Sequence, residues 1–137
     1  MDLTIPPRLF REHGVCAAYI FGSSVQGAHM QTFQSDVDVA VLLSDQLSKE
    51  RRFAVRLKLM RILEKHFQRS VDVCVINDIS SLFFKYVILS EGKLIYEDPK
   101  DESDRVDFEV RTLGEYFDFQ PFLKEYNKHY VARSAKL

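Results

Sequence analysis

The sequence predicts an α+β fold, in which a small mixed β-sheet packs against helices and the chain ends in a long helix. Short apolar runs of strand character are separated by segments whose apolar residues recur every three or four positions, which is the helical period. The chain has 137 residues and is 46% hydrophobic, which is enough for one core. We therefore expect a single domain over residues 1–137.

The predicted elements follow from caps and breakers as well as from periodicity. Pro6 and Pro7 open the first helix and Gly14 closes it, and Ser48 caps the longest helix of the N-terminal half. Their order is helix 8–13, strand 15–21, helix 25–30, strand 36–43, helix 49–67, strand 71–76, helix 81–90, strand 93–97 and helix 102–132.

Two of these helices carry more specific expectations. The helix over 49–67 is predicted to turn four apolar residues towards the core: Phe53, Leu57, Met60 and Phe67. The last helix is identified by an apolar spacing of three and four: Val106, Val110, Leu113 and Phe117. Pro121 is predicted to break or kink it.

Composition excludes several classes of protein. The net charge of −1 gives no broad electrostatic reason to bind nucleic acid. Basic residues on helix 49–67 fit a solvated face, with contact to nucleic acid or an acidic partner as the alternative. We expect a soluble cytoplasmic protein, because no apolar run could span a bilayer and no signal peptide is evident. Cys16 and Cys74 lie in apolar strands and are interpreted as core thiols.

A candidate nucleotide site lies in the stretch 19–43. Gly22 and Ser23 break an apolar strand just before a predicted helix, and a helix start offers unpaired N–H groups and partial positive charge to a triphosphate. Asp36 and Asp38 then share one face of the next strand. Two like charges placed together repel unless a cation lies between them, which points to a divalent metal. The alternative for Asp36 is a residue without a catalytic role that begins the strand and faces water.

A third carboxylate lies out of place in a strand. Asp72 stands among valines in the run 71–76. Three carboxylates and a Gly-Ser turn could hold Mg²⁺ ions against the phosphates of a nucleotide, as phosphoryl and nucleotidyl transfer require. The alternative for Asp72 is a structural role, capping a nearby backbone group.

At these residues the sequence resembles the nucleotidyltransferase superfamily related to DNA polymerase beta, and within it the minimal MntA-type antitoxins of MntA–HepT (HEPN–MNT) modules. The resemblance implies the nucleotidyltransferase fold, ATP as substrate and a two-metal Mg²⁺ site. Gly22 and Ser23 would bind the triphosphate, Asp36 and Asp38 the metals, and Asp72 the second metal and the incoming hydroxyl. It further implies transfer of AMP to a tyrosine of a HEPN ribonuclease toxin, with which the protein would form a hetero-oligomer.

Two features depart from that family pattern. Residues 24–35 form a longer loop between the Gly-Ser turn and the Asp pair than relatives often have, and Gln26 stands where many have a basic residue. Two other functions stay open: a small-molecule nucleotidyltransferase, and an antitoxin that masks its toxin by binding alone.

The C-terminal helix is rich in aromatic residues that spread around more than one side. They are Tyr116, Phe117, Phe119, Phe122, Tyr126 and Tyr130. Such a distribution fits a surface that faces a partner or packing against the protein's own sheet.

Overall fold

The computed structural model describes residues 4–22 and 36–135, with the side chains at 123–124 and 126–135 left aside. The described helices and strands, in chain order, are α1 (Pro7–Arg11), β1 (Val15–Phe21), β2 (Val37–Leu43), α2 (Lys49–Phe67), β3 (Val71–Val75), α3 (Leu82–Glu91), β4 (Lys93–Glu97) and α4 (Glu102–Ala135). Short 3₁₀ turns at Ile76–Asp78 and Pro99–Asp101 precede α3 and α4. The predicted helix over 25–30 lies outside the described residues.

The described strands form one mixed sheet in the order β3-β2-β1-β4. β1 runs antiparallel to both β2 and β4, whereas β2 and β3 are parallel. A parallel pair needs a crossover connection, and α2 provides it. The α+β class and the mixed sheet are therefore as the sequence predicts.

The two faces of the sheet are covered by different helices. On one face, Val37, Val39 and Val41 of β2 join Leu59 and Leu63 of α2 in the main core cluster. On the other face, the alternate β2 residues Ala40 and Leu42 pack with Ile88 of α3 and with Phe108 of α4. Side chains alternate along a strand, so Asp38 shares the face that α3 and α4 cover.

The predicted inner side of α2 is partly wrong. Phe53 and Leu57 are 54% and 46% exposed, while the fully buried residues of this helix are Leu59 and Leu63. Met60 and Phe67 do pack against the core, as does Val55. The helix carries two apolar stripes at helical spacing, and periodicity cannot say which of them faces the sheet.

Helix α4 continues through Pro121 without the predicted break. Proline removes one backbone hydrogen bond, but the many other hydrogen bonds of this 34-residue helix remain, and the helix continues beyond it. Its first turns are fixed to the sheet by polar contacts: the Tyr19 hydroxyl donates to Glu109, and Arg105 pairs with Glu97 and Glu109. None of the described helices has the length and hydropathy to cross a membrane.

Candidate active site

The structure brings two of the predicted carboxylates together. Asp38 of β2 and Asp72 of β3 are direct Cα partners in the parallel strand pairing. Paired residues of neighbouring strands lie side by side, with their side chains on the same face. Asp36 lies immediately before β2 and is exposed. The three carboxylates therefore occupy the same end of the β2–β3 pair.

Gly22 lies against this pair. Its neighbour Phe21 is the last residue of β1 and pairs with Asp38 across the antiparallel ladder. Gly22 has a φ of 78°, and a Cβ atom built on it would overlap Oδ2 of Asp38. Only glycine combines this backbone conformation with such a close approach. The predicted phosphate turn thus begins in contact with a carboxylate, while Ser23 and the loop 24–35 lie outside the described residues.

Asp38 responds to its surroundings. The pKa of Asp38 is raised from its ordinary value, first by burial and then by the negative charges of Asp72 and Asp36. The neighbouring thiol of Cys74 has its pKa raised to about 12 by burial, with Asp72 and Asp38 adding to the shift. Both shifts arise chiefly from burial, and the neighbouring negative charges act in the same direction.

Sequence reasoning missed one residue of the site. Arg56 of α2 donates from Nε to the backbone carbonyl of Val73 at 2.6 Å, and its Nη2 lies 3.7 Å from Oδ1 of Asp72. The sequence carried no signal for it, because how α2 docks on the sheet decides which side of the helix, and so which arginine, lies beside β3.

The donor chemistry fits Mg²⁺. In the part of the chain that the structure describes, no three His, Cys, Asp or Glu side chains form a ready-made metal cluster. Mg²⁺, however, is commonly bound through one or two carboxylates together with substrate phosphates and water. Asp38 and Asp72 provide such a pair of hard oxygen ligands, and they lie side by side on one face of the sheet.

A cavity elsewhere in the described structure is a less suitable active site than the paired carboxylates. A cavity of about 610 Å³ lies where β2 ends and α4 begins, lined by residues that include Leu43, Asn77, Lys85 and Asp104. Asp38 stands near the start of β2, so this cavity is at the opposite end of the strand from the paired carboxylates.

Comparison with known structures gives the fold a context. A chain from the crystal structure of an MntA–HepT toxin–antitoxin with two Asp-to-Glu substitutions has a TM-score of 0.70 and 23% identity, covering 90% of this chain and 94% of that chain. A chain from a toxin–antitoxin structure with AMP-PNP has a TM-score of 0.69 and 24% identity, covering 90% of this chain and 94% of that chain. A chain from the structure of a tri-AMPylated Shewanella oneidensis HEPN toxin in complex with MNT antitoxin has a TM-score of 0.64 and 21% identity, covering 90% of this chain and 91% of that chain. At these identities the likeness is one of fold.

The comparison with curated proteins gave no match. The comparison with protein families is more decisive. The model of the family described as "Polymerase beta, Nucleotidyltransferase" matches residues 5–101. This span runs from before α1 to the start of α4 and contains Gly22, Asp36, Asp38 and Asp72. Because the match covers well over half of the chain, the chain belongs to the polymerase beta nucleotidyltransferase family.

Proposed function

We propose that this protein is an antitoxin that transfers AMP from ATP to a tyrosine of a cognate HEPN ribonuclease toxin and thereby neutralises it. The family supports the nucleotidyl-transfer chemistry. Relatives of the same fold were crystallised as toxin–antitoxin complexes, one with AMP-PNP and one with a tri-AMPylated toxin. We further propose that the protein acts in the cytoplasm, where ATP is supplied, as a hetero-oligomer with that toxin.

The observation that carries the proposal is the contact between the phosphate turn and the paired carboxylates. Gly22 touches Asp38, and Asp38 lies beside Asp72. Nucleotidyl transfer requires a group that binds the triphosphate and a carboxylate next to the reacting phosphorus, and the contact between Gly22 and Asp38 supports a single site that combines the two.

Each residue has a proposed task. The backbone of Gly22 and Ser23 binds the triphosphate, and the missing side chain of Gly22 lets this backbone lie directly against the Asp38 carboxylate. Asp36, Asp38 and Asp72 would hold Mg²⁺, which neutralises charge on the phosphates when bound. The side chain of Asp72 is 60% exposed, so the hydroxyl of a partner protein can reach it.

The proposed reaction is a substitution at the α-phosphorus of ATP. The tyrosine hydroxyl oxygen bonds to that phosphorus, the bond from phosphorus to the pyrophosphate oxygen breaks, and pyrophosphate leaves. The hydroxyl proton passes to the carboxylate of Asp72, acting as general base. The products are an AMP–tyrosine phosphodiester and pyrophosphate.

The experiment first establishes whether a HEPN-family protein is encoded next to this one, and then incubates that protein with this chain and ATP labelled at the α-phosphate. We expect the label to become covalently attached to a tyrosine of that protein, located by mass spectrometry. Label transfer to small hydroxylated compounds instead would favour the small-molecule enzyme. Tight binding of the HEPN protein with no label transferred would favour a masking antitoxin.

A further inference from the structure

Arg56 connects the two faces of the sheet at its edge. Helix α2, which carries it, covers the face opposite the carboxylates. In the described sheet, β3 is one of the two edge strands and pairs with β2. The outer backbone groups of an edge strand lack a neighbouring strand. The Arg56 side chain passes around this edge, where its Nε donates to the Val73 carbonyl at 2.6 Å.

The other end of the same guanidinium reaches the site. Its Nη2 lies 3.7 Å from Oδ1 of Asp72, the residue that precedes Val73. The carbonyl contact fixes the planar guanidinium, so the cation is held in place before any ligand binds. The two side chains are 36% and 60% exposed, and an ion pair so open to water contributes little to stability. The contact is therefore more important for orienting the Asp72 carboxylate than for the stability of the fold.

The Asp72 carboxylate lies between two opposite influences. On the β2 side is Asp38, a carboxylate of like charge, and at the sheet edge is the Arg56 cation. Repulsion from one and attraction to the other both draw the Asp72 carboxylate outward from Asp38. Arg56 therefore fixes where the Asp72 carboxylate lies relative to Asp38, and the 60% exposure of that side chain leaves it accessible from solvent.

We propose that Arg56 is a positioning residue for Asp72, whose carboxylate it holds at the edge of the sheet in the orientation that AMP transfer requires. This inference rests on the proposed function, in which Asp72 is the base for AMP transfer. Arg56 itself touches no reacting atom. Its removal therefore affects the rate of transfer through Asp72 and leaves nucleotide binding at Gly22 and Asp38 intact.

The test begins with Arg56→Gln, which keeps a hydrogen-bond donor for the carbonyl and removes the cation. We expect the maximal rate of AMP transfer to the HEPN protein to fall about 10-fold to 100-fold, as is common when a residue that orients a functional group is lost. The KM for ATP and the Mg·ATP affinity measured by titration should not change. Arg61→Gln makes the same chemical change at an exposed position of α2 and should leave all three values at the parent level.

A double-mutant cycle with Asp72→Asn then separates orientation from structural support. If Arg56 acts through Asp72, adding Arg56→Gln to Asp72→Asn should lower the rate no further. Equal fractional losses in both backgrounds would overturn the inference, as would a lower melting temperature with the transfer rate of the folded protein unchanged. Full activity of Asp72→Asn alone would instead overturn the proposed role of Asp72, so the two failures are distinguishable.

Discussion

Asp38 and Asp72 are partners across the parallel pairing of β2 and β3, so two carboxylates lie side by side on one face of the sheet. The neighbouring strand positions are filled by valines and alanine, which are buried. A fold selected for stability alone would place apolar side chains at these two positions as well, because like charges directly opposite each other in a sheet are destabilising. The arrangement is consistent with a site that is completed by a cation.

The first prediction concerns stability. Because the pKa of Asp38 is raised, the folded state still holds a proton at pH values where the unfolded chain, with a pKa near 3.8, has released it. Stability therefore falls as pH rises through the raised pKa. In the absence of Mg²⁺ we expect Asp38→Asn to have a higher melting temperature than the parent at pH 7.

The control for that prediction is the pH profile. The difference in melting temperature should shrink as the pH falls from the raised pKa towards 3.8, and should be smallest below 3.8, where Asp38 is protonated in both the folded and the unfolded parent. Mg·ATP should raise the melting temperature of the parent and have a smaller effect on Asp38→Asn. A variant less stable than the parent at pH 7 would contradict this account of Asp38.

The second prediction compares two glycines that share a positive φ. Gly14 has a φ of 71° with nothing within 4 Å of an added Cβ, whereas at Gly22 the added Cβ overlaps Asp38. Each Gly→Ala change should cost about 1 kcal/mol for the backbone conformation. Gly22→Ala should in addition displace the carboxylate and lower AMP transfer.

Chemical unfolding and transfer assays on the two variants provide the measurement. Gly14→Ala should transfer AMP at the parent rate, since it lies at the opposite end of β1 from the site. Parent activity in Gly22→Ala would place the nucleotide elsewhere.

The third prediction is that Asp72→Asn binds Mg·ATP but transfers AMP about a hundredfold more slowly, because the amide keeps the shape and cannot accept a proton. ATP titration and single-turnover transfer on the same preparation test it. If Asp72 only supports the structure, the variant should melt early and transfer AMP normally.

The fourth prediction assigns the exposed aromatic rings of α4 to partner binding. Phe119 and Phe122 stack on each other and are 46% and 68% exposed. Replacing both with serine should weaken binding to the HEPN protein with little change in melting temperature. Tyr126, also expected in this surface, has a side chain outside the described part.

Tyr116 provides the matched control on the same helix. Its ring is buried and stacks on Tyr86 with centroids 3.8 Å apart. Tyr116→Ser should therefore lower the melting temperature through lost packing. A strong loss of stability in the Phe119 and Phe122 variant would mean that these rings, too, belong to the internal packing.

The fifth prediction concerns the thiols. Burial, reinforced by Asp101 at Cys16 and by Asp72 at Cys74, raises the pKa of both to about 12. At pH 8 the thiolate fraction should be on the order of a thousandfold below that of an ordinary cysteine, so alkylation should be slow until denaturant is added. Rapid labelling of the native protein would contradict the buried position of Cys16 and the partly buried position of Cys74.

Local pattern was sufficient for the elements of this fold. β1, α2 and β4 begin and end at the residues expected from sequence, because proline, serine and glycine caps bound their apolar runs. The position of Asp72 among valines also pointed to the site, since a charge inside a strand is costly without a purpose. The structure adds that this residue lies directly beside Asp38.

Properties that depend on tertiary contacts could not be predicted in the same way. Phe53 and Leu57 lie at helical spacing and yet face outward, because the choice between two apolar stripes is made by how α2 docks on the sheet. Arg56 was missed for a related reason. Its proximity to Asp72 depends on β3 being an edge strand, and strand order is a property of the whole fold.

The most direct test of the central claim is whether neutralisation of the HEPN protein is catalytic. RNA cleavage by that protein should be measured after incubation with Mg·ATP and substoichiometric amounts of this chain, with an Asp36→Ala, Asp38→Ala double variant in parallel. We predict that the parent chain abolishes RNA cleavage, whereas the folded double variant leaves it intact. Equal neutralisation by the double variant, or by the parent chain without ATP, would contradict the claim that AMP transfer is the protein's function.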